Sequence, residues 1–391
     1  MTGIRPVTRG VTILGVAGLA AVTSMTAALA AGARPAPPIH PPVHRVAGFA
    51  IPRPGRATHS APWPSRTVLR ESVRVRSANQ VLSPARGADY ALVPVNQPET
   101  VFQLRRISLA SGAVQSGPRF SASRLRLASG FLWVYGPVYS GPRSTRVRLV
   151  LRQFSPSSLR LIRSWTLLPT HRLVFLSDVS VAPGPGMGPG RTIWVGFQRT
   201  LRLISVTSGA TLRRARVPAG FSITDVATDP QRQRLYAAAT HPLGGGAVFE
   251  YRARSGRQLA SATGKPIEFG VSGSDLTAVP GAVWSSFRTG MMGLTVLLRA
   301  RDLSVVPLHR PIFEWTMWAT TVYGGGALWL ATMDGVTACI GPRSGAVRVR
   351  TTLPGMGGSG QLLTVDPGRH LVYAVGQHGV VAISPPPACW G

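Results

Sequence analysis

Acidic residues are scarce in this chain. Its 391 residues include 13 Asp and Glu against 43 Lys and Arg, and Lys265 is the only lysine. That shortage narrows the chemistry. Glycoside hydrolysis needs two opposed carboxyl groups, and a carboxylate-poor body argues against it. There is no Gly-x-Ser-x-Gly and no His-Glu-x-x-His. His171, His241, His309, His370 and His378 are scattered, and only His370 has a carboxylate within four residues, Asp366. Gly244–Gly246 and Gly324–Gly326 lack the Lys and the helix that would make a phosphate loop, so both read as turns. Cysteine is nearly absent. Cys339 and Cys389 have no Cys-x-x-Cys spacing, which weakens a redox role.

Arginine supplies almost all the positive charge. The bias is one that a G+C-rich genome produces. The net charge of +30 predicts attraction to polyanions: wall polymers, lipid headgroups or nucleic acid. The Arg residues are scattered along the chain, with no basic block and no zinc-finger or helix-turn-helix pattern. Specific nucleic-acid recognition is therefore not expected.

Glycine (44) and proline (34) punctuate short apolar runs, which favours many strands over long helices. One phrase recurs, an aromatic after one or two apolar residues, at Tyr90, Trp133, Trp194, Tyr236, Trp284, Trp329 and Tyr373. The gaps are 43, 61, 42, 48, 45 and 44 residues, and the long one holds two Pro/Gly insertions. A period near 45 residues built of short strands predicts an all-β, seven-bladed β-propeller. Equivalent aromatics are expected to pack between neighbouring sheets. Ser111-Gly112, Ser208-Gly209, Ser255-Gly256 and Ser344-Gly345 mark hairpin turns.

The last unit ends early, at Pro385-Pro386-Pro387, so it lacks a fourth strand. The strand-like segment Thr67–Ser77 belongs to no complete unit. It is expected on the edge of the last sheet, closing the ring with both ends of the chain. The exported context permits a disulfide between Cys339 and Cys389.

That context comes from the N-terminus. Arg5 and Arg9 precede an uncharged run from Gly10 to Ala33, and Ala28-Leu29-Ala30 offers a small-x-small cleavage site. This is the form of a secretory signal peptide, and the run also suffices to span a bilayer uncut. The expected organisation is a signal peptide or membrane anchor over 1–30, a Pro-rich linker over 31–66 and the propeller over 67–391. His40, His44 and His59 read as solvated linker residues. The body lies outside the cytoplasmic membrane, secreted or anchored, and is expected to be a monomer.

One column is suggestive. Asp178, Asp225 and Asp275 each precede an apolar residue on a predicted first strand, and Arg124, Gln361 and Gln80 fall at the same place in other units. First strands line the axial channel of a propeller. Three carboxylates there have the hard oxygen chemistry of a divalent-cation site such as calcium. The bland alternative is that each Asp accepts backbone N–H groups in its own connecting loop. Arg124 and Arg126 suit a salt bridge to that ring or an anion. Trp318, on the first strand of the sixth unit, is a candidate ligand contact, as are Arg124 and Gln361.

The phrases Val226-Ala-Thr-Asp-Pro-Gln-Arg-Gln-Arg-Leu-Tyr-Ala and Leu363-Thr-Val-Asp-Pro-Gly-Arg-His-Leu-Val-Tyr-Ala resemble repeats of the seven-bladed superfamily that holds YVTN, NHL and quinoprotein-like propellers. The resemblance covers about residues 68 to 387. It implies the fold and leaves activity open, because the superfamily includes binding modules, scaffolds, lyases and dehydrogenases. The quinoprotein alcohol dehydrogenases have eight blades and adjacent cysteines, which this chain lacks. The lactone lyases use His with Glu and magnesium, and no His/Glu motif is present. The expected function is an exported, non-enzymatic propeller that binds a protein, a wall polymer or a small ligand at one face. The alternative is a metal-dependent lyase or quinoprotein-like oxidoreductase with its site at the axial mouth.

Overall fold

Strand Arg234–Thr240 shows why this sequence makes a ring of sheets. Its five central residues are all buried, so the strand is apolar on both faces. Leu235, Ala237 and Ala239 pack against Trp194, Leu201 and Leu203 of the preceding sheet. Tyr236 and Ala238 point the other way, against Leu276, Val283 and Leu298 of the following sheet. Successive side chains of a strand face opposite sides. A run apolar at every position therefore needs a neighbour on each face. Full burial of a residue such as Leu235 contributes about 2 kcal/mol. One charge on either face forfeits that and adds a desolvation cost.

The computed structural model describes residues 44–45, 62–70, 80–95, 101–121, 124–139, 146–172, 179–185, 192–241, 245–263, 271–289, 292–306, 319–332, 335–353, 361–376 and 379–390. They form seven antiparallel sheets. Blade 1 comprises Gln80–Ser83, Ala88–Pro94, Phe102–Ser108 and Val114–Phe120. Blade 2 comprises Arg124–Ala128, Phe131–Tyr139, Arg146–Phe154 and Leu161–Arg172. Blade 3 is Ser180–Pro183, Thr192–Phe197, Thr200–Ser205 and Thr211–Arg216. Blade 4 is Ser222–Asp229, Arg234–Thr240, Gly246–Arg252 and Gln258–Thr263. In blade 5, Val271–Val279, Ala282–Thr289 and Met292–Arg299 are followed by a single bridge, Leu298 to Val305. Blade 6 is Ala319–Gly324, Ala327–Thr332, Val336–Ile340 and Val347–Thr352.

Blade 7 closes the ring. Gln361–Asp366, Leu371–Gly376 and Gly379–Ile383 come from the C-terminus, and Ser65–Arg70 is the fourth strand. It pairs antiparallel to the last strand, Ser65 opposite Ile383 and Arg70 opposite Gly379. The expected closure holds, with one shift: the strand starts at Ser65, inside the stretch expected to be linker. Trp63 explains the shift. It is 4% exposed and packs edge-on against Trp329 at 6.2 Å, while Ser384 donates its N–H to the Pro64 carbonyl at 2.8 Å. Further upstream, His44 and Arg45 pair in parallel with Ala262 and Thr263 at the outer edge of blade 4. The expected signal or anchor segment and most of the expected linker lie outside the described residues.

All seven repeated aromatics are buried, from Trp133, Trp194, Tyr236, Trp284 and Trp329 at 0% to Tyr373 at 4%. The indoles also hydrogen-bond. Trp194 Nε1 donates to the Ala253 carbonyl of blade 4, and Trp284 Nε1 to the Pro342 carbonyl of blade 6. These two carry both the packing and a polar tie between blades. Cys339, on the third strand of blade 6, and Cys389 are joined by a disulfide across Cα atoms 5.6 Å apart. It fixes the tail, where Trp390 lies on Trp329 at 4.9 Å.

Candidate functional site

First strands sit innermost. Each contacts the first strands of its two neighbours, and that of blade 7 contacts that of blade 1. Among the described residues no β-ladder crosses from blade to blade there, so the inner edge of each sheet presents backbone groups without strand partners. Buried N–H groups need acceptors. The structure supplies them from side chains.

The register identifies the position that does so. In each of six blades, one first-strand residue lies opposite the residue two beyond the repeated aromatic. These are Arg124 opposite Tyr135, Ser180 opposite Gly196, Asp225 opposite Ala238, Asp275 opposite Ser286, Thr320 opposite Ala331 and Gln361 opposite Val375. The expected column therefore holds at Arg124, Asp225, Asp275 and Gln361. Blade 3 places Ser180 there rather than Asp178, which lies outside the described residues. Gln80 is one step out of line: it pairs with Ala91, and its amide donates to Asp89 at 2.7 Å.

One hydrogen bond repeats around the column. Val226 of blade 4 donates its N–H to Ser180 Oγ of blade 3 at 3.2 Å. Leu276 of blade 5 donates to Asp225 Oδ2 of blade 4 at 2.8 Å. Leu362 of blade 7 donates to Thr320 Oγ1 of blade 6 at 2.9 Å. In each case a column side chain accepts the N–H just after the column in the next blade. Thr277, two residues past the column in blade 5, and Thr321, one past it in blade 6, add a hydroxyl pair at 2.8 Å.

Asp225 is the busiest member. It is 3% exposed. Oδ1 accepts from Ser180 Oγ at 2.5 Å and from the Val226 N–H at 2.9 Å, and Arg126 Nη2 of blade 2 lies 3.7 Å away. Oδ2 takes the Leu276 N–H. One carboxylate thus joins blades 2, 3, 4 and 5. The expected salt bridge from blade 2 is present, made by Arg126. The local-acceptor alternative is half right, since Asp225 accepts backbone N–H groups, one of them from the following blade. Beside it the buried Tyr135 phenol has its pKa raised by desolvation, with Arg126 and Arg124 opposing that shift.

Both Asp225 oxygens accept hydrogen bonds from N–H or O–H donors. Among the described residues no group of three His, Cys, Asp or Glu is placed to hold a metal ion. The side chains of Asp275 and Gln361 and the whole of Trp318 lie outside the described residues. Asp229 and Asp366, each just before a proline, are turn acceptors, taking the N–H of Arg232 at 3.1 Å and of Arg369 at 3.3 Å.

The sequence missed a second cluster, on the face that carries the turns between first and second strands and between third and fourth strands. Arg232, Arg299, Arg301 and Arg343 there line an open groove of about 390 Å³ with Gly281 at its floor. These residues come from blades 4, 5 and 6, and no local pattern marks them.

No family model matches the chain, and no curated protein matches it. Solved structures do. The structure of U3-55K aligns with a TM-score of 0.55 at 12% identity, over 82% of this chain and 98% of that one. The RRP9 WD40 repeats align with a TM-score of 0.55 at 11% identity, over 84% and 99%. BamB from Moraxella catarrhalis aligns with a TM-score of 0.49 at 14% identity, over 83% and 98%. Together with the seven described sheets, the first two define the fold class: this chain is a seven-bladed β-propeller, and its fold resembles that of the RRP9 WD40 repeats. At these identities the likeness is one of fold.

Proposed function

We propose that the chain is an exported, non-enzymatic propeller that binds a protein, an anionic polymer or a small ligand at one face. The observation that carries this reading is the occupation of Asp225. A catalytic or metal-binding carboxylate must face its substrate or ion with a free lone pair. Both oxygens of Asp225 instead accept hydrogen bonds, from Ser180, Val226 and Leu276, that hold blades 3, 4 and 5 together. Export is supported by Arg5, Arg9 and the uncharged run after them, and by a disulfide of the kind that persists in oxidising compartments.

The test compares the full-length protein with its Asp225→Asn variant, by elemental analysis, absorbance and urea unfolding. The parent is expected to carry no stoichiometric ion and no chromophore. The variant has one carbonyl where the parent has two acceptors, so one buried N–H loses its partner. A loss of about 1–3 kcal/mol follows. A stoichiometric ion that disappears in the variant while stability stays unchanged would overturn the reading in favour of an axial site.

A further inference from the structure

The arginine groove lies on a surface that blade stitching does not use. Its floor is the turn Pro280-Gly281 of blade 5. Gly281 has φ +86°, and a Cβ there would lie 3.1 Å from Arg343 Nε and 3.8 Å from Arg232 Nη2. Glycine thus lets guanidinium groups from blades 4 and 6 converge over blade 5. Arg299 and Arg301 join them from the turn after the third strand of blade 5.

The protein engages few of their donors. Arg343 Nε donates to the Pro280 carbonyl at 2.9 Å, and Arg299 Nη1 to Ser304 Oγ at 3.3 Å. Arg232 Nε is 3.9 Å from Asp229 Oδ2, and Arg301 Nε is 3.2 Å from Asp302 Oδ2. Asp302 in turn holds its own turn closed, Oδ1 accepting from Ser304 Oγ at 2.7 Å and from the Ser304 N–H at 2.9 Å. Four cations therefore face two carboxylates, each carboxylate within three residues of its partner, while the buried Glu250 nearby is paired with a fifth, Arg234, at 2.7 Å. A guanidinium carries five N–H donors in a planar fork. Most of these donors point into the groove or to water.

We propose that this groove binds a phosphoryl-bearing polyanion through two or more adjacent phosphoryl groups. The proposal rests on the reading of the chain as a face-binding propeller and names a ligand class for that face. Like charges gathered from three blades repel one another, and a multivalent oxyanion relieves that repulsion. Planar forks meet phosphoryl oxygens in bidentate pairs. The groove has room for more than one such group, and its open side admits a continuing chain.

The experiment is calorimetric titration of the full-length protein with sodium pyrophosphate at low ionic strength. Citrate is the carboxylate counterpart. An Arg299→Gln/Arg343→Gln variant is compared with an Arg213→Gln/Arg214→Gln variant, which removes equal charge from the exposed outer strand of blade 3. The expected result is saturable pyrophosphate binding that falls at least about tenfold in the groove variant and less than about twofold in the control. An Arg232→Gln/Arg301→Gln variant is expected to repeat the loss. Absence of saturable binding, or equal losses in groove and control variants, would refute the proposal. Equal affinity for citrate would overturn the phosphoryl assignment. None of these outcomes touches the metal content or the Asp225→Asn result, so the groove and the broader reading fail separately.

Discussion

Glu250 shows how a single charge is tolerated between sheets. It sits on the third strand of blade 4, is 2% exposed, and meets Arg234 Nε at 2.7 Å. Desolvation pushes its carboxyl pKa up, and Arg234 pulls it back in part. The folded state therefore keeps the Glu250 proton to higher pH than the unfolded state. Its contribution to stability falls as pH rises from the ordinary carboxylate value through the raised one. Glu250→Gln removes that dependence. The melting temperature of the variant, measured against the parent, is expected to shift in the variant's favour as pH climbs above about 4.3 and then level off. A difference that is flat with pH would contradict the assignment. At this scale the sequence was partly legible. Asp229 and Asp366 announced their turns because a turn is local. Ser180 gave no signal, since its partners Val226 and Asp225 lie more than forty residues downstream.

The turn between third and fourth strands is the element that repeats most faithfully. In six blades the same two backbone bonds close it. In blade 3, for example, Gly209 N–H donates to Ser205 O at 2.8 Å and Ser205 N–H to Ala210 O at 2.9 Å. Four of the six place glycine at the positive-φ position, and these are the Ser-Gly pairs visible in the sequence. Blades 2 and 5 place Leu159 (φ 55°) and Leu303 (φ 56°) there instead. Both side chains are buried, at 1% and 0%. Left-handed backbone costs a leucine about 1–2 kcal/mol, and burial with no cavity left behind is worth more than that. Leu303→Gly is therefore expected to lower stability by about 1–3 kcal/mol in urea unfolding, despite relieving the backbone. A stabilised variant would show that strain dominates. The sequence pattern missed these two turns because it searched for the residue that tolerates positive φ. Packing had chosen another.

The propeller body is a ring, and the strand from its N-terminal side and the C-terminal tail meet near its closure. The strand Ser65–Arg70 completes blade 7, and the disulfide from Cys339 to Cys389 ties the tail to blade 6 across a sequence separation of 50. A loop of that size predicts about 4 kcal/mol lost in Cys389→Ser, read as a lower urea midpoint that reduction of the parent reproduces. An unchanged midpoint would mean that Trp390, packed on Trp329, holds the tail unaided. The amino-acid sequence by itself determined the number of blades, the buried aromatic of each and the pairing of the chain ends. These follow from strands apolar on both faces, a property each segment carries alone. Only the tertiary structure decided that Asp225 joins four blades, and that Arg232, Arg299, Arg301 and Arg343 share one groove. Apart from Arg299 and Arg301, which share one turn, such neighbours belong to different blades and lie about forty residues or more apart in the sequence. No local propensity links them, and only the packing of blade on blade brings them within reach.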